Sequence, residues 1–149
     1  MNVLLTVGNG MMGDDGAGVL LAQMLRDQPL EDWSVVNGGS APENVLHRIR
    51  EMDATRVLVV DAADMELEPG AIRRINAEKL DDPFLMTTHT LPLTFLIESL
   101  REFVSQVDLL GIQPTIVAFG FPMSEEVRAA VGQVYADLKN RKMDWSSCN

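Results

Sequence analysis

Residues 3–25 read VLLTVGNGMMGDDGAGVLLAQML and carry the clearest indication of the fold. It opens with a continuous apolar run over 3–7, which is typical of a strand covered on both faces. A glycine-rich break follows at 8–10, and apolar residues then recur at helical spacing over 17–25. A buried strand that leads through a loop into an amphipathic helix predicts the first half of a strand–helix–strand unit.

The same alternation continues through residue 60. Trp33 to Val36 reads as a second strand, and Arg56 to Val60 as a third of the buried type. Between them, Ser40 with Glu43 three residues later forms a capping-box pattern, which predicts a helix through about residue 52. Three strands separated by two helices indicate a parallel sheet with right-handed crossovers.

The second half of the chain adds further strands and helices to this sheet. The predicted elements are an edge strand at 71–75, a helix opening at Thr90, strands at 107–110 and 115–119, and a last helix capped by Ser124. The sequence therefore predicts an α/β fold, a three-layer αβα sandwich with a mostly parallel twisted sheet of about five strands. We expect one domain over residues 1–149, with a frayed tail at about 139–149.

Composition excludes several classes of protein. The chain carries 22 acidic and 12 basic residues, a net charge of -10, which argues against a nucleic-acid partner. No run of about 18 apolar residues occurs, and the first residues lack the pattern of a signal peptide, so we expect a cytoplasmic protein without a membrane partner. The single cysteine, Cys148, excludes an intrachain disulfide and a cysteine-based metal cluster.

Polar side chains fall where the predicted strands end. In an open α/β sheet, ligands bind outside the carboxyl ends of the strands. Asp14 and Asp15 lie in the loop after the first strand, and Asp61 ends the third strand after four aliphatic residues. His89 precedes the third predicted helix and reaches the same rim only if the segment before it runs back to the sheet. The residues alone do not separate Asp14 from Asp15.

These groups have structural as well as functional interpretations. An acidic residue beside a helix start is often a cap or a partner of the helix dipole, and a histidine can simply donate to a backbone carbonyl. His47 lies within the second helix and reads as a solvated or half-buried side chain, so it is not expected to belong to the site. Two carboxylates with one imidazole, however, suit a divalent metal with open coordination positions. Without a closely spaced ligand pair, such a metal would be held weakly until another molecule supplies more ligands.

Dinucleotide binding and serine hydrolysis are the two alternatives to a metal site. Residues 8–13 match G-x-G-x-x-G after a strand, the pattern of a dinucleotide-binding protein. Two carboxylates directly after it would repel a pyrophosphate at the helix N-terminus, which disfavours that interpretation. A serine hydrolase is disfavoured because G-x-S-x-G is absent from the sequence.

Five motifs carry a resemblance to a known family. In chain order they are VGNxMMGDDGAG, GGSAPEN, VDAxDM, MTTHxxPL and GIQP. Together they resemble the nickel–iron hydrogenase maturation endopeptidases over roughly residues 3–135. Within that family they are most similar to the proteases that act on the large subunit of hydrogenase 3, the formate-hydrogenlyase enzyme.

The resemblance implies an activity and a site. Such an endopeptidase removes a C-terminal extension from the hydrogenase 3 large-subunit precursor after nickel insertion. By the matching motifs, the resemblance implies that the catalytic and metal-contacting residues are Asp15, Asp61 and His89. The nickel would be supplied by the precursor, with only weak divalent-metal binding by the isolated protein. Nickel either polarises the scissile carbonyl or activates a water, or it only serves to recognise the loaded precursor and align the peptide bond while a carboxylate acts as general base. Gly38-Gly39-Ser40 is either an oxyanion site or a plain turn. The alternative is a non-catalytic chaperone or binding module for the precursor.

Overall fold

The structure, a computed structural model, describes residues 1–76, 78 and 90–148. Within these residues there are five strands and four α-helices. The strands are β1 (Asn2–Val7), β2 (Trp33–Gly39), β3 (Arg56–Ala62), β4 (Ile72–Ile75) and β5 (Gln106–Ile112). The helices are α1 (Ala17–Asp27), α2 (Leu46–Glu51), α3 (Thr90–Arg101) and α4 (Glu125–Lys139), and short 3-10 turns at Gly13–Gly16 and Pro42–Val45 lead into α1 and α2. None of the described helices has both the length and the apolar character to cross a bilayer.

The strands form one sheet in the order β2-β1-β3-β5-β4. The first four strands in that order are parallel, and β4 pairs antiparallel with β5. This confirms the predicted α/β class and the mostly parallel sheet of five strands. Because β1 and β3 are parallel neighbours, their carboxyl ends open onto the same rim of the sheet.

The core is divided between the two faces of the sheet. Along β1, Val3, Leu5 and Val7 pack on one side against buried residues of α2 and α3. Leu4 points to the other side, where it joins buried residues of α1 and α4. This alternation with a period of two follows from the pleat of the strand, and it produces the predicted αβα layers.

Two local predictions are corrected by the structure. The predicted strand at 115–119 is a loop, since the backbone N–H groups of Thr115 and Ile116 donate to the carboxylate of Asp14. Ser40 does not cap the second helix, which is entered through a 3-10 turn beginning at Pro42. Ser124 does cap α4, because its hydroxyl oxygen accepts from the N–H of Val127 at 3.4 Å.

The segment after α4 returns to the edge of the sheet, where the sequence predicted a frayed tail. The N–H of Arg74 in β4 donates to the carbonyl oxygen of Ser146 at 2.8 Å, and the N–H of Cys148 donates to the carbonyl oxygen of Arg74 at 2.7 Å. The indole N–H of Trp145 also donates to Asp137 in α4 at 2.9 Å. The tail thereby satisfies backbone groups of the edge strand β4, a long-range contact that local sequence patterns do not reveal.

Candidate functional site

The loop between β1 and α1 crosses the carboxyl rim of the sheet at Gly8. This glycine has a φ of 142°, which favours a residue without a side chain. A Cβ placed on it would lie 2.1 Å from the carbonyl oxygen of Asp15 and 3.9 Å from Oδ1 of Asp61. The close approach therefore brings the backbone of Asp15 and the carboxylate of Asp61 against the same point.

Asp15 is held on the inner side of this loop. Its side chain is buried, and its Oδ2 accepts from the backbone N–H of Asn9 at 3.0 Å. The N–H of Asp15 donates to the carbonyl oxygen of Met12, while the N–H of Met12 donates to the carbonyl oxygen of Asn9, both at 3.1 Å. The turn thus fixes the position of the Asp15 carboxylate through backbone groups of its own loop.

Asp61 reaches the same rim from β3. It is the penultimate residue of that strand, its Cα pairs with that of Gly111 in β5, and it is 1% exposed. A carboxylate buried at the end of an apolar strand is expensive to desolvate unless it has partners or a function. The structure thus places Asp15 and Asp61, two of the three residues predicted for the site, beside Gly8 at the carboxyl rim.

The third predicted side chain, His89, lies outside the described residues, directly before the first residue of α3. In the described part of the chain, no group of three histidine, cysteine, aspartate or glutamate side chains is arranged to hold a metal ion. The described residues therefore provide a pair of carboxylates at the rim. His47, discounted in the sequence, is exposed on α2.

Asp14 is turned away from this pair. Its carboxylate is fully buried and accepts four hydrogen bonds, from the backbone N–H groups of Thr115, Ile116 and Ser124 and from the hydroxyl of Ser124, at 2.7 to 3.1 Å. The two adjacent aspartates, which the residues alone did not separate, therefore have different surroundings. Asp14 anchors the loop after β5, and no sequence pattern indicates its partners.

The pKa of Asp14 reflects this anchoring. Burial alone would raise the pKa of the carboxyl group, but the hydrogen bonds from the backbone of Ser124, Thr115 and Ile116 and from the Ser124 hydroxyl outweigh it. The net effect lowers the pKa below its usual value of 3.8. Asp14 is therefore a stable anion that is fully engaged with the protein itself.

The glycines of the G-x-G-x-x-G pattern serve internal packing. A Cβ on Gly8 would meet the carbonyl oxygen of Asp15, and one on Gly13, whose φ is 60°, would lie 2.6 Å from the carbonyl oxygen of Ile116. In a dinucleotide site, the glycines instead make room for a pyrophosphate. The loop is occupied by the protein's own backbone, which argues against nucleotide binding.

The turn at the end of β2 is structural at Gly39. The N–H of Gly39 donates to Oδ1 of Asn37 at 3.0 Å, and its carbonyl oxygen accepts from the N–H of Gly8 at 2.9 Å. The hydroxyl of Thr6 also donates to Oδ1 of Asn37, at 3.3 Å. Because the Gly39 N–H has a partner here, the plain-turn interpretation is favoured over an oxyanion site at this residue.

Gln113, which no sequence pattern marks as important, forms hydrogen bonds that hold the loop after β3. Its side-chain oxygen accepts from the backbone N–H groups of Met65 at 2.7 Å and Leu67 at 3.3 Å. Its amide nitrogen donates to Oδ1 of Asp64 at 3.0 Å. Gln113 therefore holds the loop that follows Asp61, which gives the GIQP and VDAxDM motifs a common structural purpose.

Comparison with known proteins places this architecture among similar chains. The family described as HycI, hydrogenase maturation protease, matches residues 19–140. The hydrogenase 3 maturation protease of Escherichia coli strain K12 is 51% identical over 138 residues, which cover 93% of this chain and 88% of that protein. The solution structure of an endopeptidase HycI from Escherichia coli has a TM-score of 0.93 and 47% identity, covering 100% of this chain and 97% of the other. The crystal structure of a [NiFe] hydrogenase maturation protease HycI from Thermococcus kodakarensis has a TM-score of 0.80 and 26% identity, covering 93% and 90%.

Proposed function

This chain belongs to the hydrogenase maturation protease family, and from that premise we propose that it removes the C-terminal extension of the hydrogenase 3 large-subunit precursor after nickel insertion. The observation that carries the proposal is the pair of buried aspartates, Asp15 and Asp61, whose backbone carbonyl and side-chain oxygen, respectively, approach Gly8 at the carboxyl rim. The similarity of the chain to a hydrogenase 3 maturation protease over most of its length supports this choice of substrate.

In this proposal, nickel is part of the substrate. Asp15 and Asp61 offer carboxylate oxygens, and His89 is proposed to add an imidazole nitrogen, a ligand set that suits a borderline divalent ion. Such a set provides few ligands and no thiolate, so the isolated protein should hold nickel weakly. Ligands from the precursor would hold the metal until this chain binds it.

The chemistry proposed for the chain is hydrolysis of one peptide bond. A carboxylate at the rim accepts a proton from the attacking water, whose oxygen adds to the scissile carbonyl. The resulting carboxylic acid then returns that proton to the amide nitrogen as the C–N bond breaks, which releases the amine and leaves a carboxyl group on the other product. Burial of Asp15 and Asp61 strengthens their electrostatic interactions with a bound substrate, because water no longer screens them. Nickel acts either as a Lewis acid on the carbonyl or as a recognition element that aligns the bond.

The decisive experiment compares nickel-loaded and nickel-free precursor, with C-terminal cleavage followed by intact mass. We expect cleavage of the loaded form only. Equal rates on both forms would remove nickel recognition from the proposal while leaving a protease. Tight binding without cleavage of either form would instead favour a chaperone for the precursor.

The origin of the metal is tested separately. After dialysis against a chelator, the purified chain should contain far less than one nickel per molecule by elemental analysis. His89→Ala should weaken the residual uptake of divalent ions and abolish cleavage, with His47→Ala as the matched control on the exposed face of α2. Stoichiometric nickel that survives dialysis would identify a resident cofactor instead.

A further inference from the structure

Apolar side chains are exposed in the loop that carries Asp15 and in the loop after β5. Phe119 is 70% exposed, Met11 is 62% exposed and Phe121 is 53% exposed, and Ile116 and Val117 add further apolar surface in the same loop. Single exposed apolar residues need no explanation, whereas several in one place mark an interaction site. This group stands out because the chain as a whole carries a net charge of -10.

Three of these side chains, those of Met11, Phe119 and Phe121, line a groove of about 320 Å³. One wall comes from the loop after β1 and the other from the loop after β5. The lining residues are Gly10, Met11, Phe119, Gly120, Phe121 and Pro122. The groove is therefore built by two segments that are distant in sequence.

Backbone contacts hold the two walls together. The N–H of Gly120 donates to the carbonyl oxygen of Met11 at 2.9 Å, and the N–H of Asp14 donates to the carbonyl oxygen of Ile116 at 2.8 Å. The four hydrogen bonds to the Asp14 carboxylate fix the base of the second wall. Since Asp15 follows in the same turn, the groove has a defined position relative to the carboxylate pair.

We propose that the groove lined by residues 10–11 and 119–122 binds an extended apolar segment of the polypeptide substrate, next to the bond that is cleaved. The inference rests on the proposed function, because that function supplies a polypeptide that must be held beside Asp15. Exposed aromatic side chains in a preformed groove are suited to this task, since they give contact area with little loss of conformational freedom. The negative charge of the chain disfavours an anionic membrane surface or a second copy as the occupant.

The test uses the double variant Phe119→Ser/Phe121→Ser and nickel-loaded precursor. We expect the apparent KM to rise about tenfold or more, because aromatic anchors contribute much of the binding at such surfaces. The maximal rate should change far less than KM. Phe95→Ser is the matched control, because Phe95 on α3 is 56% exposed and does not line the groove. Equal kcat/KM for the double variant and this control would overturn the proposal.

Direct binding separates failure of the groove from failure of the proposed function. If the wild-type chain cleaves no precursor, titration with labelled precursor still measures its binding affinity for the wild type, the double variant and Phe95→Ser. At least tenfold weaker binding by the double variant supports the groove, whereas equal binding overturns it. Sedimentation analysis tests whether a second copy of the chain occupies the groove instead. If the wild type self-associates and the double variant does not, while both bind the precursor equally, the groove belongs to a second copy and the proposal is overturned.

Discussion

The loop after β1 buries its polar side chains, whereas the loop after β5 exposes its apolar ones. Asp14 and Asp15 are both buried in the first loop, and Phe119 and Phe121 are both exposed in the second. Each loop reverses the ordinary partition between core and surface. The first loop therefore fixes charged groups, the second supplies most of the exposed apolar surface, and Asp14 joins the two loops by accepting hydrogen bonds from the second.

Gly8→Ala is expected to lower the free energy of unfolding more than any other change to these two loops. The added methyl group would meet the carbonyl oxygen of Asp15 at 2.1 Å, and the φ of 142° is unfavourable for alanine. We expect a loss of about 3 kcal/mol or more in the free energy of unfolding, together with loss of cleavage. Chemical denaturation measures the first and the precursor assay the second.

The matched control is Gly132→Ala in α4, where a Cβ would meet nothing within 4 Å. This change should stabilise the chain by about 0.5–1 kcal/mol, because alanine favours the helix. If Gly8→Ala unfolded at the same denaturant concentration as the wild type, the close approach would not constrain the first loop.

Asp14→Asn tests the connection between the two loops. The amide keeps one acceptor oxygen but turns an N–H₂ group toward buried donors. We expect a loss of about 2–3 kcal/mol, because donors from Thr115, Ile116 or Ser124 are left unsatisfied. Denaturant titration against Asp27→Asn, an exposed residue of α1, supplies the comparison. A change no larger than that of the control would show that the carboxylate does not hold the loop.

Asp15→Asn should give the opposite pattern. The amide oxygen can still accept from the N–H of Asn9, so the free energy of unfolding should change by less than about 1 kcal/mol. Cleavage of nickel-loaded precursor should fall by about 100-fold or more, because a charged group at the proposed site is lost. Should Asp14→Asn abolish cleavage without a loss of stability, while Asp15→Asn unfolds the chain, the two roles would be exchanged.

The smallest effect is expected in how the stability of the chain falls at acid pH, which depends in part on the Asp14 carboxylate. The pKa of Asp14 is lowered in the folded state, so its stabilisation is fully present above the unfolded value near 3.8. That stabilisation is lost as the pH falls from there through the lower, folded pKa. Thermal unfolding between about pH 5 and pH 2 should therefore show a shallower decline for Asp14→Asn than for the wild type. Parallel curves would contradict an anionic Asp14 anchor.

The strands and most helices could be predicted because their signals are local. Buried runs such as 56–60 indicate a strand wherever they occur, and the helical spacing after Thr90 indicates α3. The strand predicted at 115–119 was wrong. Its apolar residues are typical of a strand, but the N–H groups of Thr115 and Ile116 donate to the carboxylate of Asp14 instead of to a neighbouring strand. The cap at Ser40 failed similarly, since a 3-10 turn starts the helix at Pro42.

The rim position of Asp61 could be predicted from topology, because it closes a central parallel strand. The difference between Asp14 and Asp15 could not. It depends on Thr115, Ile116 and Ser124, more than 100 positions away, and no periodicity links those residues to the first loop. The hydrogen bonds of Gln113 were missed for the same reason, since its partners follow β3.

The hydrogen bonds from Ser124 to Asp14 span 110 positions of the chain, which has a consequence for the order of folding. Closing so long a loop is entropically unfavourable until intervening contacts have formed, so this contact belongs among the late events. During synthesis, the turn that carries Asp15 cannot gain its anchor until Ser124 has left the ribosome. A nascent chain would therefore have its first strands before it has a finished peptidase site, and hydrolytic competence would arrive with the docking of α4.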